Sequence, residues 1–404
     1  MLNWLEPFNI FCLLDNQQYN LPASGYEYLA AAGVQARVQT DDPRELDNFL
    51  SAHAGHWIFG HLAYELAAQW YPLRPRPDRV GFPVLHFFLP QHLIYIRNGA
   101  LFIESEEPDA VYDAIQQQPA RVPDFHKPIH TQAALQQHEY LAAIHSLQEH
   151  IRRGDCYEIN FCMNFFSENA EVEPCTLFQR LMEVSPNPFS AFYRCNQSYL
   201  LCASPERYLK KDGDQIISQP IKGTGKRVLH DAEEDKAAAA ALAGSPKEQA
   251  ENVMVVDLVR NDLSRICEPA SVRVKELFGI QSFPQVHQMV STVEGKLNKD
   301  VPFSEILAAT FPMGSMTGAP KHRVLQLINE FENSNRGIFS GAVGYFDPQG
   351  DFDFNVVIRS IMYNAEQNYL EYKVGSGITF YCDAEKEWEE CLLKAAGIKK
   401  VLTG

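Results

Sequence analysis

With 404 residues, 46% of them hydrophobic and 21% charged, the chain has an ordinary globular composition and is long enough for one large domain or two moderate ones. The formal net charge of −16 argues against nucleic acid as a partner, because a phosphate backbone requires clustered Lys and Arg. No apolar run approaches the roughly 20 residues of a membrane-spanning helix, and the nine cysteines occur singly, which favours a reducing, cytoplasmic environment over a disulfide framework.

Residues 1–130 are predicted to form the N-terminal region of the same globular unit, with mixed strands and loops. The main apolar segments of this region are 57–64 and 81–90. Residues 106–131 contain several prolines and a run of glutamines, which indicates a linker or a surface excursion. The remaining residues, 131–404, carry sharper helix and strand signals and all of the candidate functional residues.

A helix is predicted just after this boundary, because four apolar residues recur there at helical spacing before Gly154. These residues are Tyr140, Ile144, Leu147 and Ile151. Residues 156–165 then alternate between apolar and polar side chains, which predicts a half-buried strand. Its polar face consists of Glu158, Asn160, Cys162 and Asn164.

Two more strands, 206–210 and 215–221, are predicted on either side of a turn. Helices alternate with strands to the end of the chain, and many neighbouring strands look hairpin-connected. The fold class expected is therefore α/β of the mixed, largely antiparallel kind, and not a doubly wound parallel sheet.

Two pairs of glutamates each share one face of a predicted helix. They are Glu248 with Glu251, and Glu387 with Glu390. Glu248 and Glu387 have a structural explanation, because acidic residues in a first turn favour a helix N-terminus. Glu251 and Glu390 lie beyond the first turn. If the two helices converge, four like charges meet, and a divalent cation with oxygen ligands, such as magnesium, would relieve the repulsion.

Glu206 and Lys222 are placed near the same end of the predicted hairpin. Such a pair is usually a cross-strand ion pair. Pro220 and Gly223 flank the lysine, however, and both interrupt a regular ladder. A lysine in an irregular apolar loop can lose its proton through desolvation and act as a nucleophile, and a carboxylic acid opposite it could protonate a leaving hydroxyl.

Further candidates lie closer to the C-terminus. The small-residue loop 314–321 leads into a helix and is a candidate anion site through its backbone amides. Gly375 and Gly377 fit either a tight strand turn or a backbone cradle for a carboxylate. Arg359, in an apolar strand, requires a fixed anionic partner. Because the net negative charge of the protein opposes the approach of an anionic ligand, a site for such a ligand must supply its own positive charge. His287 is interpreted as a buried structural histidine.

The ordered segments around these residues resemble the chorismate-utilising enzymes, a family that includes anthranilate synthase component I, aminodeoxychorismate synthase component I, isochorismate synthase and salicylate synthase. The segments are Ser-Pro-Glu206-Arg, Pro-Ile-Lys222-Gly-Thr, Glu-Asn-Val-Met-Val-Val-Asp-Leu-Val-Arg-Asn-Asp, Val-His287-Gln-Met-Val-Ser, Phe-Pro-Met-Gly-Ser-Met-Thr317-Gly-Ala-Pro-Lys321, Gly-Ala-Val-Gly-Tyr345, Val-Val-Ile-Arg359-Ser and Val-Gly375-Ser-Gly377-Ile. The resemblance covers about residues 135 to 404 and implies a single large α/β domain. In that fold, two packed β-sheets are flanked by helices and residues 131–404 form the chorismate-binding catalytic region.

The resemblance also implies roles for individual residues. Magnesium would be bound by Glu251 and Glu390, with Glu248 and Glu387 close by, and would hold the ring carboxylate of chorismate. The resemblance places His287 close to the ring, in place of the structural role inferred above. The expected substrate-binding residues are Arg359, Tyr345, His287, Gly375, Gly377, Thr224, Thr317 and Lys321.

Lys222 distinguishes between members of this family. Anthranilate synthases typically carry Ala at this position, whereas the chain resembles aminodeoxychorismate synthase component I, in which a lysine attacks ring C2 while Glu206 helps the C4 hydroxyl to leave. Ammonia then adds at C4 and displaces the lysine. Anthranilate synthase is the first alternative. Isochorismate synthase is a less favoured one, because enzymes of that kind use a lysine to activate water near the position where this chain has Glu158 and many relatives have Gln.

Two partners follow from the same resemblance. Ammonia is expected from a separate glutamine amidotransferase subunit, because the chain shows no nucleophilic cysteine in an elbow of small residues. Family members often bind tryptophan in the N-terminal region, and this chain leaves that possibility open. A catalytically inactive scaffold is the alternative from another class of protein, and the intact candidate groups argue against it.

Overall fold

The strands of this chain pair into two large antiparallel sheets. The computed structural model describes residues 1–19, 25–76, 78–119, 127–284 and 286–404. Its helices are α1 (Leu2–Leu5), α2 (Pro43–Ala52), α3 (Pro108–Gln116), α4 (Gln137–Arg152), α5 (Pro174–Val184), α6 (Ala232–Ala243), α7 (Pro246–Ser264), α8 (Phe303–Thr310), α9 (Lys321–Phe331) and α10 (Ala384–Thr403), with 3₁₀ turns at Tyr64–Gln69 and Gly314–Met316.

The strands divide between a first sheet of 11 strands and a second sheet of 10 strands. In chain order they are β1 (Ile10–Asp15), β2 (Tyr28–Ala32), β3 (Ala36–Thr40), β4 (Ile58–Leu62), β5 (Leu85–Leu89), β6 (His92–Arg97), β7 (Ala100–Glu104), β8 (Gln132–Ala133), β9 (Glu158–Ser167), β10 (Phe189–Cys195), β11 (Ser198–Ser204), β12 (Arg207–Asp212), β13 (Gln215–Gln219), β14 (Ile221–Lys226), β15 (Arg273–Ser282), β16 (Val286–Lys296), β17 (Gly318–Ala319), β18 (Ala342–Phe346), β19 (Phe352–Asn355), β20 (Ser360–Asn364) and β21 (Tyr369–Ile378).

The strand order shows how the two ends of the chain are combined. The first sheet runs β17-β9-β21-β20-β11-β10-β1-β2-β6-β7, with β8 also pairing with β9. The second runs β14-β16-β13-β12-β19-β18-β4-β5-β3, with β15 also pairing with β16. Strands from both sides of residue 130 therefore lie in each sheet. The predicted linker 106–131 contains α3, and its residues 120–126 lie outside the described part of the chain.

The sheets pack face to face around one apolar core. Phe59, Phe87 and Phe354 of the second sheet share that core with Leu200 and Cys202 of the first. A second apolar layer lies between the outer face of the first sheet and helices α4, α5, α9 and α10. Helices α2, α6, α7 and α8 lie against the second sheet and its edges. The predicted fold class, mixed α/β with two packed antiparallel sheets, is confirmed.

Strand β9 differs from the prediction of a half-buried strand. All residues from Glu158 to Phe165 are buried, so neither face meets solvent. The apolar side chains face helices of the outer layer, whereas the polar side chains face the second sheet. A polar face buried between two sheets must find partners within the protein, and the partners of Glu158 define the site described below.

A buried cluster around Tyr193 makes the fold sensitive to acid. The Tyr193 hydroxyl lies 3.0 Å from Nδ1 of His61 and 2.8 Å from Nδ1 of His86. Burial lowers the pKa of His61 to about 3 and that of His86 to about 4. The unfolded chain takes up these protons near pH 6.5, so stability present above pH 6.5 is lost as the pH falls toward 4.

We expect His86 to account for a large part of this acid sensitivity. A pKa lowered from about 6.5 to about 4 corresponds to about 3 kcal/mol of unfolding free energy by pH 4. In urea unfolding between pH 7.5 and 4, His86→Gln should therefore lose stability less steeply than the wild type. Parallel pH dependences for the two proteins would contradict the assignment.

Candidate active site

Two ionisable side chains from different sheets meet where the sheets approach one another. Lys222 lies on β14 in the second sheet, and Glu158 is the first residue of β9 in the first sheet. Nζ of Lys222 donates a 2.6 Å hydrogen bond to Oε1 of Glu158. Their side chains are 13% and 3% exposed. A buried ion pair therefore joins the sheets at the predicted nucleophile.

The backbone around Lys222 is irregular, as the sequence predicts. Pro220, which has no N–H to donate, separates β13 from β14. The pairing of β14 with β16 then shifts register between Ile221 and Thr224. Gly223 has φ of 97°, a conformation that residues with a side chain rarely adopt. The irregular stretch lets Lys222 reach across to Glu158 instead of continuing a regular ladder.

Desolvation alone does not leave Lys222 neutral, contrary to the sequence interpretation. Burial lowers the pKa of Lys222, but the carboxylates of Glu158, Glu251 and Glu206 more than offset this effect, so the pKa lies well above its usual value. Lys222 is therefore an ammonium ion in this structure. A nucleophilic role requires a group that takes its proton.

Glu206 lies directly before β12 and is only 4% exposed. Burial raises the pKa of its carboxyl group to about 7, although the Ser315 hydroxyl, the Ile221 backbone, Lys222 and Arg359 act in the opposite direction. A carboxyl group with this pKa is protonated in a substantial fraction of molecules near neutral pH. Glu206 is therefore suited to donate a proton, as the sequence interpretation requires.

Arg359 supplies a positive charge beside Glu206. The sequence predicts it within a strand, but β19 ends at Asn355 and β20 begins at Ser360. Arg359 lies between them with φ of 51°, a conformation that stores strain in a residue with a side chain. Burial lowers the pKa of its guanidinium to about 10, and Glu206 opposes this shift. A strained, desolvated guanidinium is a suitable receptor for a carboxylate ligand.

The two predicted glycines line the same place from β21. Gly377 pairs with Asn160 and Gly375 pairs with Cys162 in the ladder with β9. A Cβ atom on Gly377 would lie 2.9 Å from Oε1 of Glu158 and 3.0 Å from Nζ of Lys222. The absence of a side chain at residue 377 therefore leaves room for the ion pair.

Gly377→Ala should reduce chorismate-dependent activity at least about tenfold, because the added Cβ atom would displace Lys222 or Glu158 and small displacements in an active site are costly. Initial rates of the purified variant measure the loss of activity, and its thermal melting shows whether it remains folded. Gly397→Ala is the matched control, because a Cβ atom there meets nothing within 4 Å. In the middle of α10 this control should raise stability by up to about 1 kcal/mol and leave activity unchanged. Full activity in Gly377→Ala would contradict the proposed crowding.

The four predicted metal-binding glutamates converge from α7 and α10. The carboxylates of Glu251, Glu248, Glu387 and Glu390 all raise the pKa of Lys247, although burial lowers it. Nζ of Lys247 lies 3.8 Å from Glu251, and Nζ of Lys394 lies 2.7 Å from Glu390. Burial raises the pKa of Glu251 to about 7. The repulsion among the four carboxylates is thus relieved by two lysines.

This cluster fits a magnesium ion by the chemistry of its donors. All four groups are carboxylates, which are preferred ligands of this hard cation. Within the described ranges, no three His, Cys, Asp or Glu side chains lie in an arrangement that could already hold a metal ion. The side chains would therefore have to turn from Lys247 and Lys394 toward the ion, a rearrangement available to the half-exposed Glu390.

Tyr345 is not brought to this cluster. It lies on β18, with its ring 6.0 Å from that of Tyr26, 5.6 Å from that of Trp57 and 6.0 Å from that of Phe59. With Tyr26 it lines a separate cavity that also includes Arg207 and Asp353. Since successive residues of a strand point to opposite faces, the orientation of this tyrosine could not be read from the motif alone.

Two side chains of the loop 314–321 are held by other parts of the protein. Nζ of Lys321 donates to Asp262 at 2.6 Å and to the carbonyl of Thr310 at 3.2 Å. The hydroxyl of Thr317 donates to the carbonyl of Met313 at 3.0 Å. These two predicted substrate-binding side chains therefore have partners within the protein. Thr224, by contrast, is exposed two residues after Lys222.

His287 has the structural environment that its sequence context suggests before the family is considered. Its Nδ1 lies 2.8 Å from the Ser282 hydroxyl, and its Nε2 lies 3.1 Å from Asp235 on the side of α6. The next residue, Gln288, points to the opposite face of β16 because side chains alternate along a strand. Gln288 is buried, and its Oε1 accepts no hydrogen bond within the described residues.

The cavity beside Tyr345 is lined by residues from both sheets. It is lined by residues of β1 and β2, the segment 188–190 and the β18–β19 pair. Arg207 and Asp353 form a buried ion pair at its base, with Nε and Oδ1 2.9 Å apart.

Two residues of the site were not assigned a role from the sequence. Ser315 lies beside Glu206. Glu158 was placed on the polar face of a strand and noted as a departure from a family pattern, yet it contacts Lys222. Nothing in the sequence indicated this contact, because alternation along the strand predicted a polar face without showing that the second sheet buries it.

A family model described as chorismate binding enzyme matches residues 13–400. The chain therefore belongs to the chorismate-binding enzyme family. It is 38% identical over 271 residues to aminodeoxychorismate synthase component 1 of Escherichia coli K12, covering 67% of this chain and 59% of that protein. For the protein of the same name from Klebsiella aerogenes, the identity is 38% over 258 residues, with coverages of 64% and 56%.

Other relatives match over a greater part of the chain. An anthranilate synthase component I-like protein of Synechocystis is 30% identical over 407 residues, covering 94% of this chain and 83% of that protein. The fold is shared with anthranilate synthase component I from Streptococcus pneumoniae, with a TM-score of 0.81 at 24% identity, covering 94% and 93% of the two chains. For the menaquinone-specific isochorismate synthase from Escherichia coli the TM-score is 0.82 at 19% identity, with coverages of 100% and 91%.

Proposed function

We propose that this protein is an aminodeoxychorismate synthase component I, which converts chorismate and ammonia to 4-amino-4-deoxychorismate for p-aminobenzoate and folate synthesis in the cytoplasm. The observation that carries the proposal is the position of Lys222. Its amine lies in a buried site beside a protonatable Glu206 and a strained Arg359. The 38% identity to proteins of that name supports the same conclusion.

Substrate binding relies on charges from this chain. Arg359 would pair with one carboxylate of chorismate, and its desolvation strengthens that interaction. A magnesium ion would be held by Glu251 and Glu390, with Glu248 and Glu387 nearby, and would supply the positive charge that the other carboxylate needs. The backbone of β21 at Gly375 and Gly377 would form the adjoining wall.

The chemistry then uses two side chains in turn. The neutral amine of Lys222 attacks ring C2 as the ring double bond shifts and the C4–O bond breaks, and Glu206 gives its proton to the departing hydroxyl to form water. Ammonia adds at C4, the double bond shifts back, and the C2–N bond to Lys222 breaks. The ammonium group left at C4 returns one proton to Glu206, so the enzyme is regenerated.

The ammonia would come from a separate glutamine amidotransferase subunit. All nine cysteines of the chain are free, and eight of them are buried. Burial also raises the pKa of the half-buried Cys382, so its thiol is not activated as a nucleophile. These cysteines give no support to glutamine hydrolysis by this chain itself.

A product assay tests the proposal. The purified protein is incubated with chorismate, magnesium and ammonium, and the products are separated by mass and retention time. We expect 4-amino-4-deoxychorismate. Fluorescent anthranilate formed without an added lyase would instead establish the alternative, an anthranilate synthase. Isochorismate formed without ammonium would establish the second alternative, and any of these outcomes would exclude an inactive scaffold.

A further inference from the structure

The ion pair of Lys222 with Glu158 has a consequence for the proposed reaction. Nζ of Lys222 makes its hydrogen bond to Glu158 and to no other group among the residues described. Glu158 in turn is held at the start of β9, 3% exposed, against the backbone of β21. The two groups are therefore in direct contact and shielded from solvent.

An ammonium group has no lone pair and cannot attack a carbon atom, so a proton must leave Lys222 before the first step. Glu206 is unsuited to accept it, because it must itself donate a proton to the hydroxyl. Glu251 is farther away and belongs to the proposed metal cluster. The charged groups that interact with Lys222 from the surrounding elements are Glu206, Glu251 and Glu390. Arg359 lies next to Glu206.

We propose that Glu158 is a catalytic residue of this protein, which accepts the proton of Lys222 before attack and returns it when the adduct is broken. The proposal rests on the proposed function. In the first step an N–H bond of Lys222 breaks and an O–H bond forms on Glu158, which leaves a neutral amine and a neutral acid. After the C2–N bond breaks, the released amine takes the same proton back.

The environment favours this transfer once substrate fills the site. An ion pair is stabilised over the corresponding neutral pair mainly by solvation of its charges. Chorismate would displace the water that reaches the 13% exposed side chain of Lys222. Loss of that water reduces the advantage of the charged form, and the 2.6 Å hydrogen bond already defines the path of the proton.

Formation of the Lys222 adduct isolates this step. The protein is mixed with chorismate and magnesium without ammonium, quenched at intervals and analysed by intact mass between pH 6.5 and 9. The variants are Glu158→Gln, which cannot accept the proton, and Glu158→Asp, which retains a carboxylate. Glu371→Gln is the matched control, because Glu371 is also a buried carboxylate paired with a lysine, Lys373, in the first sheet.

We expect Glu158→Gln to form the adduct about 100-fold more slowly than the wild type at pH 6.5, the range for loss of a proton-transfer group. The ratio of wild-type to variant rates should fall as the pH rises, because hydroxide then removes the lysine proton. Glu158→Asp should be slow at all pH values but keep a constant ratio to the wild type. Glu371→Gln should keep the wild-type rate and profile.

A rate in Glu158→Gln equal to or above that of the wild type, with an unchanged pH profile, would overturn the proposal and leave Glu158 as a counter-ion only. Melting curves of all four proteins establish that the rates refer to folded material. If the wild type makes 4-amino-4-deoxychorismate without any adduct on Lys222, the role of Glu158 is also refuted. If it makes no such product, the proposed function itself fails.

Discussion

Replacing Lys222 with alanine should abolish 4-amination, with a loss of about 1,000-fold or more, as expected when a covalent nucleophile is removed. The amine is the group that attacks C2 in the proposed reaction, and among the residues that the structure describes Lys222 is the lysine that contacts Glu158 and interacts with Glu206. Intact-mass measurement should show no adduct on the variant. Residual turnover, if ammonia takes the place of the lysine at C2, should give the 2-amino product.

Lys222→Arg separates the nucleophile from the charge. A guanidinium can keep the ion pair with Glu158, but it remains protonated and does not attack carbon. We expect this variant to be as inactive as Lys222→Ala while melting closer to the wild type, because the buried Glu158 keeps a partner. Substantial 4-amination by Lys222→Arg would refute nucleophilic catalysis by residue 222.

The helices and strands could be predicted from the sequence, because the spacing of apolar residues and the turn residues determine them locally. The helical spacing from Tyr140 to Ile151 corresponds to α4, which ends at Arg152. The predicted strands around residue 212 are observed as β12 and β13. Burial was harder to predict, because alternation in β9 indicates two different faces but not what covers each of them. Only the packing of the second sheet shows that Glu158 is buried.

The sequence predicted which charged residues belong to the candidate site, but not which side chains contact one another. Arg359 was selected because a buried charge needs a partner, and Glu206 because the predicted hairpin placed it near Lys222; the structure places Arg359 and Glu206 beside one another. Tyr345 and His287 were assigned from motifs, yet each turns away from Lys222. A motif specifies a residue type but not the face of the strand from which the side chain projects, and a shift of one residue reverses that face.

The balance of charge in the site explains why its components must act together. Lys222 faces more negative than positive charge, since Glu158, Glu251 and Glu206 all raise its pKa. A divalent cation on Glu251 and Glu390 would remove part of that negative potential and make loss of the lysine proton easier. Binding of magnesium, binding of substrate and activation of the amine are thus expected to be coupled.

Glu206→Gln should reduce the rate of 4-amination by about 100-fold to 10,000-fold, the range for loss of a general acid. Glutamine keeps the size of the side chain but has no acidic proton for the departing C4 hydroxyl. Because burial raises the pKa of Glu206 to about 7, the protonated acid is present below pH 7 and is lost above it. The wild-type rate should therefore fall as the pH rises through about 7.

The pH profile distinguishes this role from a structural one. In Glu206→Gln the decline above pH 7 that stems from Glu206 should disappear, while the remaining rate stays low across the range. Glu206→Asp keeps an acid but shortens its reach, so the decline should persist at reduced overall rate. If Glu206→Gln lowers the rate yet retains the wild-type decline, another group donates the proton, and Glu206 serves mainly to hold Arg359 and Lys222 in place.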